Sequence, residues 1–317
     1  MRRRILTPGH HNPRPDGTPC RSTTSQPDHH SAASMSCRYA QTSSYERDER
    51  IRLDVLPAWC RTDRTPKLGL EGHVMQRAID EHDAIADAAR RISGLIRASD
   101  LSAPVPHPGR WKVRDVVAHL GGVHRWATRI VSTRSMDGPS FTKSKLAGSE
   151  LCDWFDAGVE DLLVVLRANE ADDQCPNFNP GSPKTVAWWS RRQTHETTVH
   201  RWDIERALGC TTPIDPAVAA DGIDEYLDVF VRTRGKQTLI APLTLATMRP
   251  SRAWTLSPAG RPGRVDIVDG RSAEATSQVV GRPETLLLVL WGRLELSEAP
   301  LETHGDPAIV ASLRGRP

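Results

Sequence analysis

Residues 188–210, WWSRRQTHETTVHRWDIERALGC, constrain this chain more than any other stretch. Trp188, Trp189, Val199, Trp202, Ile204 and Leu208 recur at helical spacing, and Gly209 supplies a stop, so the segment is predicted as one amphipathic helix. Its arginines and threonines are expected on the wetter faces. Within it, His195-Glu196 and His200 look like the zinc-protease pattern, in which two histidines four apart share a face with a glutamate beside them. Here the histidines are five apart, and at about 100° per residue they diverge by roughly 140°. Glu196 and His200 are four apart, project together within about 40°, and have Asp203 on nearly the same line. The protease geometry is therefore excluded. What remains is a carboxylate and an imidazole side by side, short of a third ligand.

The charge distribution separates the chain into two parts. Of 42 Lys and Arg and 39 Asp and Glu, 12 and 8 precede residue 73, leaving 30 against 31 for the remainder. A nearly neutral body offers no basic face for nucleic acid or an anionic membrane. No apolar run reaches transmembrane length; the longest, 285–291, is the size of a core helix. Six cysteines without C-x-x-C spacing, Cys20, Cys37, Cys60, Cys152, Cys175 and Cys210, indicate neither a disulfide framework nor a thiolate zinc site, and fit free thiols in a reducing cytoplasm.

Residues 1–72 are rich in Arg, Pro, Ser, Thr and His and keep no periodicity, so they are expected to be a disordered or mis-started extension. From residue 73 the pattern changes. Met75 to Leu95 has helical spacing, and a proline-rich loop and Trp111 precede a second helix from about Lys112. On that helix Val116, His119, Val123 and Trp126 form one stripe, which turns His119 toward an apolar interior. A third helix is predicted from Ser144 to Ala168, and the fourth is the segment above. Four amphipathic helices read as a bundle over 73–210, a scaffold in which metal sites are built from facing helices. Residues 211–317 begin with a helix over 217–232. Short β-type runs, a strong helix from Pro283 to Trp291, a strand at 301–304 and a last helix at 307–313 follow, giving a small α+β domain. The expected class is α+β, with the all-α bundle first.

Three blocks, WKVRDVVAHLG (111–121), HETTVHRWD (195–203) and VVGRPETLLLVLWGR (279–293), resemble the mycothiol-dependent maleylpyruvate isomerase family. The resemblance spans roughly residues 73–317. It implies a DinB-like metal-binding bundle followed by a domain similar to sterol-carrier folds. Carried over position by position, it places the metal ligands at His119, Glu196 and His200. It also implies a catalytic arginine in the C-terminal domain for substrate carboxylates; Arg293 is the candidate, with Arg282 and Arg249 as alternatives.

Two imidazoles and one carboxylate suit a divalent metal, zinc above all, and leave a coordination position open. By the resemblance that position takes water or the sulfur of mycothiol, a cysteinyl pseudodisaccharide used as a cytosolic thiol. Zinc ionises a coordinated thiol. A thiolate that adds to a cis alkene and departs after rotation about the resulting single bond gives the trans isomer without redox change. Two alternatives stand beside this: a mycothiol S-transferase acting on electrophiles, and a non-catalytic metal-containing binding protein. A pocket with two or more arginines favours the isomerase, and an apolar pocket the transferase. The bland readings are a hydrogen-bonded core histidine at 119 and an ordinary i,i+4 pair at Glu196 and His200. His124 and His195 are expected to be structural, Asp203 to orient a ligating imidazole or to pair with an arginine, and Trp188, Trp189 and Trp202 to pack in the core. The partner is expected to be a small carboxylate or electrophile, and the oligomeric state is left open.

Overall fold

The computed structural model describes residues 79–106, 109–232, 239–306 and 308–313. The expectations for the extension over 1–72 and for Met75 lie outside these residues. Helix α1 spans Glu81–Ala98, with the Asp80 carboxylate accepting from the Asp83 amide at 3.0 Å as its N-cap. Helix α2 spans Val113–Thr133, where the Asp115 carboxylate accepts from the Lys112 amide at 2.9 Å. Helix α3 spans Gly148–Arg167 and α4 spans Val186–Ala207. The predicted third helix began four residues too early. Gly148 takes φ of 56°, a left-handed conformation through which no helix runs back toward Ser144.

Each of these four helices packs on two others: α1 on α3 and α4, and α2 on α3 and α4. They form the expected bundle around Ile85, Ile92, Leu120, Ile130, Leu151, Phe155, Leu162, Trp189 and Ile204. Helix α5, Pro216–Tyr226, is capped by Asp215 and continues as a π-helical turn over Leu227–Val231. It packs on α6, Pro283–Leu290. Five strands follow the order β3-β2-β1-β4-β5: β1 Leu243–Met248, β2 Ser251–Pro258, β3 Val265–Asp269, β4 Ser277–Gly281 and β5 Glu302–His304. The central pair β1–β4 is parallel and the other three pairs are antiparallel. A short α7, Ala308–Ala311, ends the described chain. This second set of elements has its own core, with Ile223, Tyr226, Leu245, Trp254, Leu287 and Val310, and the α+β class is as expected. No described helix is long and apolar enough to cross a membrane.

Helix α4 belongs to both cores. Trp188, Trp189 and Ile204 pack inside the bundle, while Trp202 packs with the C-terminal elements. Of its 22 residues 16 are buried, among them Arg192, Thr194, Thr197 and Thr198. The wetter faces predicted for its arginines and threonines are thus corrected at these positions. Covered from the bundle side by α1 and α2 and from the other by α5, the helix keeps little surface for water.

Candidate metal centre

Burying the polar side of a helix requires partners for its polar groups, and along α4 those partners assemble a site. His119 reaches across from α2, its Nε2 standing 3.1 Å from Glu196 Oε1. His200, one turn after Glu196, brings its own Nε2 to 3.2 Å from the same oxygen. One ligand atom from each of the three residues lies within 4.8 Å of the others, and they form the metal-competent cluster among the described residues. Tetrahedral zinc with bonds of about 2.0–2.1 Å would set neighbouring ligand atoms about 3.3 Å apart, close to these distances.

Proton bookkeeping points the same way. His200 Nδ1 donates to Asp203 Oδ2 at 2.9 Å. In the neutral ring this leaves a lone pair on Nε2 facing a carboxylate oxygen, an arrangement that requires a cation, either a proton or a metal ion. Without a metal the proton takes that role: burial alone would lower the His200 pKa, but hydrogen bonds to Asp203 and Glu196 and their charges overcome it and raise it to about 9. Burial lowers the pKa of His119. Burial would raise the Glu196 carboxyl, yet the Arg192 guanidinium and the two imidazoles hold it well below the usual carboxylate range. Among the described residues His119 Nδ1 is buried without a hydrogen-bond partner, so there only His200 of the two imidazoles has the supporting acceptor common at metal sites. The donor set and its spacing fit a divalent cation.

Two arginines flank the cluster, and carboxylates engage both. Arg192, one turn before Glu196, donates to Glu196 Oε2 and to Glu225 Oε1. Arg293 donates through Nε and Nη2 to the two oxygens of Asp203 at 3.0 and 2.8 Å, and through Nη1 to the Trp291 carbonyl at 2.9 Å. Asp203 therefore does both things expected of it, orienting an imidazole and pairing with an arginine. The candidate substrate arginine at 293 stands beside the site with its planar fork on Asp203.

His119, Glu196, His200, Arg192 and Arg293 line a cavity of about 600 Å³ whose remaining wall is largely aromatic: Trp111, Trp126, Phe141, Phe178, Phe230 and Trp291, with Val123, Val199 and Gln193. His119 lies on this wall, with its side chain 14% exposed, and not in the sealed interior that its stripe predicts. Trp188, Trp189 and Trp202 do pack in the two cores. His124 is fully buried with Nε2 3.0 Å from Thr197 Oγ1, and His195 Nε2 is 2.6 Å from Asp221 of α5, both away from the ligand cluster as expected. Arg249 and Arg282 do not line the cavity. Cys152, Cys175 and Cys210 lie outside the cluster, and the earlier cysteines lie outside the described residues. Sequence reasoning missed Arg192, although its place four residues before Glu196 on the same helix line was readable. It also missed the cavity aromatics, which come from loops, from α2, from the π-helical turn and from the residue after α6, and carry no shared spacing.

The model for the mycothiol maleylpyruvate isomerase N-terminal domain matches residues 82–205, and that for the MDMPI C-terminal domain matches residues 217–312. Among solved structures, a mycothiol-dependent maleylpyruvate isomerase aligns with a TM-score of 0.51 at 14% identity. A histidine-to-alanine mutant of an enzyme of that description aligns at 0.52 and 13%. Each alignment covers 70% of this chain and 91% of the other, and at such identity the likeness is one of fold. No curated protein matches in sequence.

Proposed function

We propose that this chain, which belongs to the mycothiol-dependent maleylpyruvate isomerase family, is a zinc-dependent enzyme that uses mycothiol to act on an electrophilic alkene, with cis–trans isomerisation as the leading reaction. The family is one of enzymes; in this reading a DinB-like bundle over 73–210 would carry the metal ligands and most of the cavity wall, and an α+β domain over 211–317 would add Phe230, Trp291 and Arg293 to that wall. The observation that carries the reading is the convergence of two imidazole Nε2 atoms on one carboxylate oxygen at the edge of an aromatic cavity.

His119, Glu196 and His200 would hold the cation. A divalent metal there would supply Lewis acidity that ionises a coordinated thiol at neutral pH. Asp203 fixes His200 in the tautomer whose Nε2 lone pair faces the ligand cluster. Arg293 keeps Asp203 charged and in place, since its guanidinium overcomes the burial that would otherwise raise the Asp203 carboxyl. Arg192 does the same for Glu196 and neutralises Glu225 behind it. The aromatic walls offer flat faces to an unsaturated substrate and little hydrogen bonding to compete for a nucleophile that the cavity would hold. The chain needs no cysteine of its own for this chemistry, consistent with Cys152, Cys175 and Cys210 lying elsewhere.

One observation favours a second reading. Both cavity arginines already pair with carboxylates, and the rest of the wall is mostly apolar, which suits an S-transferase acting on uncharged electrophiles.

Metal analysis of the full chain, purified without chelator, tests the centre. About one divalent metal per chain is expected, with near-complete loss in Glu196→Gln. A parent that takes up no metal when offered zinc would sink the catalytic reading. Assays with mycothiol and maleylpyruvate then separate isomer from thioether product.

A further inference from the structure

We propose that Gln193 of α4 is a substrate-binding residue of the cavity, and that the group it pairs with is a neutral primary carboxamide carried by the electrophile. That the ligand is an electrophile rests on the thiol-using reading above; the amide subsite itself does not.

Gln193 lines the cavity and is completely buried, yet neither its Nε2 nor its Oε1 has a hydrogen-bond partner among the described residues. The charged groups around it are all engaged: Arg192 with Glu196 and Glu225, Arg293 with Asp203, and His119 and His200 with Glu196. Buried polar groups are ordinarily paired, so an amide left open on a cavity wall points to a group that the cavity receives.

Helical spacing sets this amide on the face of the candidate metal ligands. Gln193 precedes Glu196 by three residues and His200 by seven, so it lies within about 60° of the one and about 20° of the other around α4. A ligand in the cavity therefore spans from the cluster to the amide along one side of the helix. The terminal torsion of glutamine is broad, which lets the amide edge turn toward the cavity without leaving a rotamer well. Folding has already removed water from this amide, so pairing with it carries no further desolvation cost on the protein side.

The unused donor and acceptor define the ligand. A carboxylate only accepts and would set an oxygen against Gln193 Oε1, while an ammonium only donates and would face Nε2. A primary carboxamide carries C=O and N–H on one edge, spaced as in glutamine itself, and pairs through two parallel hydrogen bonds. A secondary amide is trans, with these groups on opposite edges, and makes only one of the two. Trp291 adds to the case. Its Nε1 is also buried without a partner among the described residues, a further neutral donor on the same wall, and an amide carbonyl has two lone pairs. Both cavity arginines are held by carboxylates, whereas Gln193 and Trp291 are neutral and open.

Succinamide, a saturated diamide that cannot react, is the probe. Its control is N,N′-dimethylsuccinamide, which keeps the carbonyls but has no C=O and N–H on a shared edge. Calorimetric titration of the zinc-loaded full chain should show succinamide binding about tenfold or more tighter than the dimethyl compound. Gln193→Met should bring that ratio close to one, with zinc content and succinate affinity unchanged. In turnover with mycothiol, the preference in kcat/KM for maleamide over N,N′-dimethylmaleamide should fall by a similar factor. The proposal is overturned if the parent binds the two saturated diamides alike or binds neither, if Gln193→Met keeps the parent's ratio, or if it loses succinate to the same extent. An amide preference that depends on Gln193, without any thiol chemistry in the parent, would keep the subsite and remove the electrophile. Thiol chemistry without that preference would do the reverse.

Discussion

Helices α3 and α4 are of similar length and belong to the same bundle, but they bury opposite kinds of side chain. In α3 the 8 buried residues are apolar or glycine, and the outer face reaches solvent so freely that even Val164 is 63% exposed. In α4, 16 residues are buried, and ten of them are polar or charged. The difference follows from position. Helix α3 packs on one side only, whereas α4 is covered by α1 and α2 on one side and by α5 on the other. A helix with no wet face must satisfy its polar groups from neighbouring elements: Ser190 from His82, Arg191 and His195 from Asp221, Thr197 from His124, Asp203 from Arg293, Glu205 from Arg91 and Thr212. The candidate metal ligands are part of this same network. In α3, stability rests on apolar packing; in α4 it rests on matched polar partners, and those partners also shape the site.

The largest test of that contrast is to remove one partner. Arg293→Met leaves Asp203 fully buried with only His200 to balance it. Breaking a buried pair from one side costs about 3–5 kcal/mol, and the loss should appear in urea unfolding as a lower midpoint with an unchanged slope. Metal affinity should fall as well, because Asp203 loses the guanidinium that holds it in place against His200. A cost below about 1 kcal/mol, the range of solvent-exposed pairs, would mean that α4 is wetter than its burial indicates and would erase the contrast with α3.

The contrast also marks how far the sequence could be read. Helix α3 was legible almost entirely, since its leucines, Val159 and Phe155 keep one stripe and the stripe is what packs. Its start was misplaced because Gly148 takes a left-handed φ of 56°, a break that a hydrophobic stripe does not register. In α4, the direction shared by Glu196, His200 and Asp203 followed from four- and seven-residue spacing, and these three do point together. What spacing could not supply was the second cover. Periodicity assigns polar residues to water unless another element is known to lie over them, so the burial of Arg192 and Thr198 and the engagement of Arg293 by Asp203 were out of reach. The aromatic cavity was also invisible, because it draws single residues from distant segments.

Acid should act on α4's network through His124, the buried imidazole that α2 directs at Thr197. Burial pushes its pKa down to about 3, so the folded chain keeps it neutral while the unfolded chain protonates it near the ordinary 6.5. With the folded value depressed, the contribution to stability is fully present above the ordinary value and is lost as pH falls from there toward about 3. Melting temperatures of the metal-free chain should therefore decline from about pH 7 to 5, and His124→Gln should flatten that decline. His119, also lowered by burial, leaves part of the slope in place. His200, raised to about 9, has the opposite sign: its contribution is present below the ordinary value and fades as pH climbs through 9. Superimposable pH profiles for His124→Gln and the parent would show that this histidine is hydrated in the folded chain, contrary to the dry interface assigned to α2 and α4.

The smallest expected effect concerns an exception within α4 itself. Gln193 is completely buried and lines the cavity, yet neither its amide nitrogen nor its oxygen has a hydrogen-bond partner among the described residues. An unsatisfied buried amide costs about 1–3 kcal/mol, and methionine matches glutamine in length and shape without that cost. Gln193→Met should then stabilise the ligand-free chain by about 1–2 kcal/mol in the same urea experiment. In that case the amide is a polar group α4 retains at the expense of stability, facing the one cavity where a bound molecule would satisfy it. A destabilising substitution would mean that water already bridges the amide, and Gln193 would no longer stand as an exception to the partnering of α4's polar groups.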